Sequence, residues 1–340
     1  MPTPQRVLIV GTGSIGERHL RCFLATGRAA VSFVDTRIER RTEVAGRYPA
    51  ATDFDDIEAA LDAGVDAAVI ATPANLHVPQ AIRLVERDVH VLIEKPLAVG
   101  VDGVDHLCRL VAQTKVTGAV AYVYRVHPVL SAMRDAIASG AFGAPVELIA
   151  VSGQHFPFYR PAYHQTYYTN HATGGGAVQD ALTHVVNAAE WLIGPVERVV
   201  ADVAHQVLEA VDVEDTVHVL ARHGSILASY SLNQYQAPNE MTITVVCERG
   251  TVRFEHHANR WRSMCRPDEA WADHSGPPLE RDTLFTRQAN AFLDAVEGAA
   301  QPVCTLEEGL QTLRVNGAIL QSARTGAWAE TGVVRAGRIR

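Results

Sequence analysis

At 340 residues and a formal charge of −8, the chain is too long for one ordinary core and too acidic for a protein whose main partner is a nucleic-acid backbone. Hydrophobic residues make up 47% and charged residues 20%, without biased tracts, which argues against disorder and predicts a two-domain protein of enzyme size. Cys22, Cys108, Cys247, Cys265 and Cys304 are odd in number and too scattered for a disulfide frame or a zinc knuckle, and no apolar stretch is long enough to span a bilayer; reduced thiols, a cytoplasmic location and no membrane partner are expected.

The chain opens "MPTPQRVLIVGTG", without a signal-peptide core, and goes straight into a strand at Arg6 to Val10. Gly-Thr-Gly-Ser-Ile-Gly follows, then a run with Leu20, Phe23 and Leu24 at helical spacing. The pattern recurs: "AAVSFVD", "DAAVIATP", "HVLIEKP" and "VTGAVAYVY" are each followed by a helical stretch. Apolar strands alternating with helices predict an α/β unit, a doubly wound parallel sheet of the Rossmann type, over residues 1–126. After about Gly143, consecutive strand-like runs joined by short turns take over, from "PVELIAVSGQ" to "GTVRFEH", with one helix among them, "AVQDALTHVVNAAEWLIG". Residues 127–302 are therefore expected to form an α+β domain with an open, mostly antiparallel sheet. Helices close the chain, the last opened by Thr305 with Glu308 three residues on, a capping-box spacing.

Gly11-x-Gly13-x-x-Gly16 between a strand and a helix is a dinucleotide-binding pattern. Gly11 allows the tight turn, Gly13 lets backbone approach a pyrophosphate, and Gly16 lets helix pack on strand. Thr12, Ser14 and Ile15 complete the turn, and the helix N-terminus offers N–H groups to the anion. Asp35, ending the second strand, is placed to accept hydrogen bonds from an adenosine ribose and to repel a 2′-phosphate, which favours NAD; Arg37, Arg40 and Arg41 close behind leave NADP open. Thr72, Pro73, Asn75 and His77 close the third strand-like run at the carboxyl edge, where such sheets bind ligands, although Asn75 reads equally as a turn former. Glu94 and Lys95 end another strand at the same edge. A lysine there, beside a positively charged nicotinamide, would lose proton affinity and donate to a substrate oxygen, with Pro96 fixing its aim; a surface lysine paired with Glu94 is the plainer alternative.

At this point G-T-G-S-I-G, A-T-P-A-N-L-H, E-K-P, the run Tyr122 to Pro128 and the G-G-G-x-x-x-D-x-x-x-H run Gly174 to His184 resemble the Gfo/Idh/MocA oxidoreductases, the glucose-fructose oxidoreductase and inositol dehydrogenase family. The likeness extends through "FLDAVEG" and "TLEEGLQTL" over essentially the whole chain. It implies NAD(P)-dependent hydride transfer on sugars, cyclitols or their derivatives, with Lys95, Asp180 and His184 as the catalytic trio. It also implies a homodimer or homotetramer, and C-terminal helices, about 303–340, packed back near the first domain. Asn187 stands where many relatives carry an acid, a departure that touches one substrate contact.

Asp180 and His184 lie four apart in a helical pattern, so both project from one face. Histidine titrates near neutrality and can move a proton, while the carboxylate orients the ring and a substrate hydroxyl; an ordinary ion pair on a helix surface is the bland alternative. Upstream, His155, Tyr159, Arg160, Tyr163 and Tyr168 crowd into a polar aromatic stretch suited to a polyhydroxylated substrate, and Arg125 joins this expected substrate-binding set. His155, His164, His171, Asp180 and His184 lack a recognised metal-ligand spacing, so no metal is expected. The expected activity is oxidoreduction of a secondary alcohol or ketone. The alternatives are a glycoside hydrolase or epimerase that uses NAD only transiently, and an inactive NAD-binding regulator.

Overall fold

The computed structural model describes residues 4–333. They form two compact units, one made of the chain up to Val126 with Leu279–Leu310, the other of His127–Pro278 with the chain from Gln311.

The first unit alternates strand and helix: β1 (Gln5–Val10), α1 (Ser14–Ala25), β2 (Ala29–Val34), α2 (Ile38–Arg47), β3 (Thr52–Phe54), α3 (Ile57–Ala63), β4 (Ala67–Ile70), α4 (His77–Val85), β5 (His90–Ile93), α5 (Val104–Gln113) and β6 (Gly118–Val120). The sheet is parallel throughout, in the order β3-β2-β1-β4-β5-β6. Its central strands are short and apolar on both sides because helices cover both faces; all four residues of β4 are fully buried. The expected doubly wound sheet is present, with β3 and α3 added to the elements read from sequence. Register does the rest: Val34, Val10, Ile70 and Ile93 align across four adjacent strands, so the residues after them emerge side by side at the carboxyl edge. The strand order reverses at β1, between β2 and β4, which is where such sheets open a crevice.

The second unit contains α6 (Pro128–Ala138), β7 (Pro145–Gly153), the single-turn α7 (Phe156–Tyr159), and a π-helical turn (Val178–Leu182) that runs into α8 (Thr183–Ile193). Then come β8 (Arg198–Ala204), β9 (Thr216–His223), β10 (Ile226–Asn233), β11 (Glu240–Cys247), β12 (Gly250–Glu255), β13 (Arg260–Met264) and β14 (Ala272–Ser275). The chain continues as α9 (Thr283–Val296), α10 (Leu306–Thr325) and the two-residue β15 (Ala329–Glu330). The nine-stranded sheet runs β14-β13-β12-β11-β7-β10-β9-β8-β15 and is antiparallel except where β7 lies parallel to β10. It is open, as expected, and two-faced. In β9, Val217, Val219 and Ala221 are buried while His218 and Leu220 are exposed between them, the alternation of a half-covered strand. Helix α8 packs on β7, and α6 on β12 and β13.

The domain limits differ from the expected 127–302 and 303–340. Helix α9 belongs to the first unit because its apolar stripe is used there: Ala289, Phe292 and Leu293 join the core of Leu20, Phe23 and the strands, with the Phe23 and Phe292 rings edge to face at 6.3 Å. The capping box at Thr305 is formed, the Thr305 N–H donating to Glu308 at 2.9 Å and the Glu308 N–H to the Thr305 hydroxyl at 3.2 Å. From there α10 starts in the first unit, with Leu306 against Gly118 and Gly309 against Val120, and continues in the second. Residues 334–340 of the expected C-terminal stretch lie outside the described residues.

Candidate active site

The candidate residues fall in both units. In the first, the three glycines of the turn after β1 have separate reasons. Gly11 sits at φ +86°, a left-handed conformation in which a side chain would also press on Thr72 and the Ala71 carbonyl. A Cβ on Gly16 would lie 1.8 Å from the Gly11 carbonyl oxygen. Gly13 is different: it begins α1 with an ordinary φ of −59°, supplies no capping side chain, and a Cβ there would meet no atom within 4 Å. No contact within the folded chain requires glycine at this position; the close approach of a phosphate to the uncapped N–H groups of α1 would, so the turn fits a dinucleotide.

Thr12 is fully buried, and both its N–H and its hydroxyl donate to Asp35 at 3.0 Å, so its side chain sets the acid rather than facing outward. Arg37 grips the same carboxylate with its backbone N–H and its guanidinium at about 3.0–3.1 Å. Burial works to raise the Asp35 pKa, but these hydrogen bonds outweigh it and hold the group down to about 2, so the acid is charged at any physiological pH. The neighbouring arginines are engaged too: Arg40 with the Thr12 carbonyl, Glu17 and Glu43, and Arg41 with the Asp35 carbonyl and Asp53.

After β4, the Thr72 hydroxyl donates to Gln80 at 2.7 Å, and Pro73 and Asn75 are exposed on a 3₁₀ turn. His77, expected at the cofactor, is instead buried between the carbonyls of Thr72 and Pro96, 2.8 and 3.0 Å from its ring nitrogens. Burial lowers its pKa, so the neutral ring donates to one carbonyl at a time and clasps the β4 loop to the β5 loop. Glu94 is also buried: one oxygen meets His19 Nε2 at 2.7 Å and the other accepts the Lys95 N–H at 3.0 Å. His19, which sequence reasoning missed, thus ties the helix of the glycine turn to the E-K-P corner. Lys95 itself is partly exposed at that corner and precedes Pro96 through a cis peptide bond. Arg125 departs from expectation: it is buried and donates to Glu308 at 2.6 Å, bracing the capping box of α10 rather than lining an open surface.

In the second unit, Asp180 lies in the π-helical turn and His184 in the first turn of α8. The expected plain α-helix is replaced there by a π turn, a local widening common at functional sites. Asp180 is buried and accepts from the Tyr167 hydroxyl at 2.7 Å, with Arg160 at 3.6 Å from its other oxygen; His184 is partly exposed. Tyr167 is therefore a neighbour of the acid, whereas Tyr163 and Tyr168 are not available to a substrate as expected. Both are buried with Phe156, Leu208, Val211 and Val213, and their hydroxyls donate to the Glu209 carbonyl and to Gln234. His155 caps the short α7 through its Nδ1, and Tyr159 and Arg160 remain exposed. Asn187, expected at a substrate contact, is buried and donates to Thr312 on α10 at 3.0 Å. Among the described residues no group of three or more His, Cys, Asp and Glu side chains is placed to hold a metal ion.

Comparison with known proteins bears on both units. A family model described as "Oxidoreductase family, NAD-binding Rossmann fold" matches residues 5–122, and one described as "GFO/IDH/MocA C-terminal domain" matches residues 130–253. The 1,5-anhydro-D-fructose reductase of Ensifer adhaerens is 26% identical over 95% of this chain and 97% of its own. The WlbA dehydrogenase from Bordetella pertussis, solved in complex with NADH and UDP-GlcNAcA, is 26% identical with a TM-score of 0.85, covering 98% of this chain and 99% of that one. A levoglucosan dehydrogenase solved with NADH shares the fold at a TM-score of 0.89 and 20% identity over 98% of this chain and all of that one. Because one model falls on the glycine turn and the E-K-P corner and its companion on the Asp180–His184 helix, and the two take in most of the sequence, the chain belongs to the GFO/IDH/MocA family of NAD-binding oxidoreductases.

Proposed function

We propose that this oxidoreductase moves a hydride between NAD and a secondary alcohol or ketone of a sugar, sugar derivative or cyclitol. The observation that carries the reading is the row of strand ends at the carboxyl edge, which sets the open Gly13 turn, the charged Asp35 and the Lys95 corner along one side of one sheet. Gly11, Gly13, Gly16 and the first turn of α1 would hold the pyrophosphate, and Asp35 the adenosine ribose. When bound, the nicotinamide supplies the hydride acceptor or donor. The chain's own work is proton handling and orientation. His184 takes the hydroxyl proton as general base, or returns it in the reverse direction; Lys95 hydrogen-bonds the substrate oxygen as negative charge develops on it; and Asp180, itself oriented by Tyr167, positions substrate.

NAD is the preferred form, because a buried, fully ionised Asp35 repels a 2′-phosphate and Arg37 is already committed to that acid. A screen of sugars, sugar acids and inositols with NAD and NADP, read at the reduced-nicotinamide absorbance, tests the reading. The expected result is stoichiometric NADH from a polyol, with NADP poorer. Turnover without NADH would put a transient-oxidation hydrolase or epimerase in its place, and no binding of either nucleotide would end it.

The open face of the second sheet bears on assembly. Ile149, Val151, Leu220 (57% exposed) and Leu227 lie on neighbouring strands β7, β10 and β9, an apolar surface that a two-fold copy of itself would cover. We assign it to a homodimer, alone or within a homotetramer. Wild-type protein should sediment at a multiple of 36.8 kDa and Leu220→Arg at a lower multiple; a monomeric wild type rules the assembly out. Cys22, Cys247 and Cys265 are thiols, and among the described residues no helix is long and apolar enough to cross a membrane; on the thiols we assign a reducing cytoplasm as the compartment.

A further inference from the structure

The helix that carries Asp180 and His184 begins against a carboxylate that the proposed chemistry does not use. Glu214, just before β9, is buried. One of its oxygens accepts the N–H of Val178, first residue of the π turn, at 2.9 Å, and its backbone carbonyl accepts the Ala177 N–H at 2.9 Å. The other oxygen lies 2.5 Å from Nε2 of His171. Glycine at 176 makes this possible, since a Cβ there would fall 2.6 Å from the carboxylate. His171 is half-exposed, and its own carbonyl accepts from Gln179, the residue before Asp180, at 3.3 Å. The aromatic connection thus meets the helix directly, Tyr167 on Asp180 and the His171 carbonyl on Gln179, and indirectly through the His171–Glu214 pair.

We propose that Glu214 is a positioning residue that anchors the start of the Asp180–His184 helix, and that the His171–Glu214 pair sets how firmly the anchor holds. The proposal rests on the reading of Asp180 and His184 as reacting groups. A carboxylate shared between a helix-start N–H and an imidazolium is held from two sides; when the imidazole is neutral, the grip on its outer oxygen weakens and the π turn is freer to open. The charged groups around the ring decide the direction. The hydrogen bond that the protonated ring donates to Glu214 raises the His171 pKa, burial pulls it down, and Arg324 on α10 pulls it down further; the net is upward. A raised histidine pKa means that the clasp is present below the unfolded-state value and is lost as pH rises through the folded one.

Amide hydrogen exchange on the full chain, with no nucleotide or substrate, reads the clasp directly. Protection at residues 177–183, corrected for intrinsic chemistry, should fall as pH rises through the His171 titration in wild type, and His171→Gln should remove that dependence. Glu214→Ala should lower protection there about tenfold or more, the loss of one buried hydrogen bond, while strand β10 stays protected. Glu214→Gln, which keeps an acceptor for Val178, should restore most of it without the pH dependence. With the polyol found in the screen, kcat should fall about tenfold in Glu214→Ala, recover in Glu214→Gln, and leave KM for NAD unchanged. Unchanged protection in Glu214→Ala, or pH dependence that survives His171→Gln, overturns the clasp; altered protection with unaltered kcat overturns the positioning role. If Glu214→Ala fails to fold, Glu214→Gln and His171→Gln carry the decision. A wild type without turnover on any polyol sinks the hydride-transfer reading, and the exchange result still decides the clasp.

Discussion

Removing the imidazole in His184→Ala is expected to lower kcat by about 10²–10⁴, the usual worth of a positioned general base, while NAD still binds with its wild-type affinity. Both halves of this expectation have a structural reason. Val185 and Val186 hold α8 in the core and His184 does not, being partly exposed, so the variant should keep its fold. The glycine turn and Asp35 belong to the other unit and lose no hydrogen bond. Lys95→Met, which keeps the apolar stem and removes the ammonium, should fall by a similar factor. If the two groups act on one substrate oxygen, the double variant should lose far less than the product of the single losses, because residues that act as a unit are not additive. The measurements are steady-state kinetics across pH with the best polyol and a nucleotide titration. The limb of the pH–rate profile that belongs to the base should vanish in His184→Ala. A turnover number unchanged in either single variant removes that residue from the chemistry, and strict additivity argues that the two serve separate steps.

What could be read from the residues and what could not divides along physical lines. The glycine turn, Asp35 and the E-K-P corner were legible because their chemistry is local: a strand end, a tight turn and a helix start need particular residues at fixed spacing. The helix pattern around Asp180 and His184 was legible for the same reason, but the π turn was not, since apolar residues three and four apart look alike whether the ladder closes on the fourth or fifth residue. Tyr163 and Tyr168 misled because the partners that make them core, Leu208, Val211 and Val213, come from a distant stretch with no periodic signal of its own. Arg125 misled similarly; its counter-charge is Glu308, far along the chain. His19 and Glu94 pair only after α1 and β5 are packed together, and a histidine in an amphipathic helix announces nothing. In the second sheet, β14 is exposed at every residue and β15 has two residues, so neither carries the period-two pattern that marks a half-buried strand. The parallel pairing of β7 with β10 needs two helices and two strands between them, a topology that no local run encodes.

Two glycines three residues apart should respond to alanine in opposite ways, and the contrast tests whether the turn is a phosphate cradle at all. In Gly16→Ala the new methyl has to occupy a point 1.8 Å from the Gly11 carbonyl oxygen, 2.9 Å from its carbon and 3.3 Å from the Ala71 Cβ. Those are backbone and strand-end atoms, and Gly11 is itself held by its left-handed φ and by its N–H donating to the Val34 carbonyl at 2.8 Å, so no flexible side chain can give way. The chain must move α1 away from β1 or distort the turn, and overpacking of this kind costs about 1–3 kcal/mol or more. The variant should therefore melt earlier without any ligand and bind dinucleotide poorly. In Gly13→Ala the methyl meets no atom of the folded chain, and the residue's φ of −59° suits any amino acid. Unliganded stability should drop by less than about 1 kcal/mol, the margin by which glycine exceeds alanine at a helix start. Dinucleotide affinity should nevertheless fall about tenfold to a hundredfold, the equivalent of about 1–3 kcal/mol of crowding where the pyrophosphate approaches the first N–H groups of α1. Thermal denaturation without nucleotide, paired with NAD titrations of both variants, gives the comparison. Wild-type affinity in Gly13→Ala would mean that the open space above the turn is not where the phosphates lie, and the assignment of the strand-end row to a cofactor would fall with it.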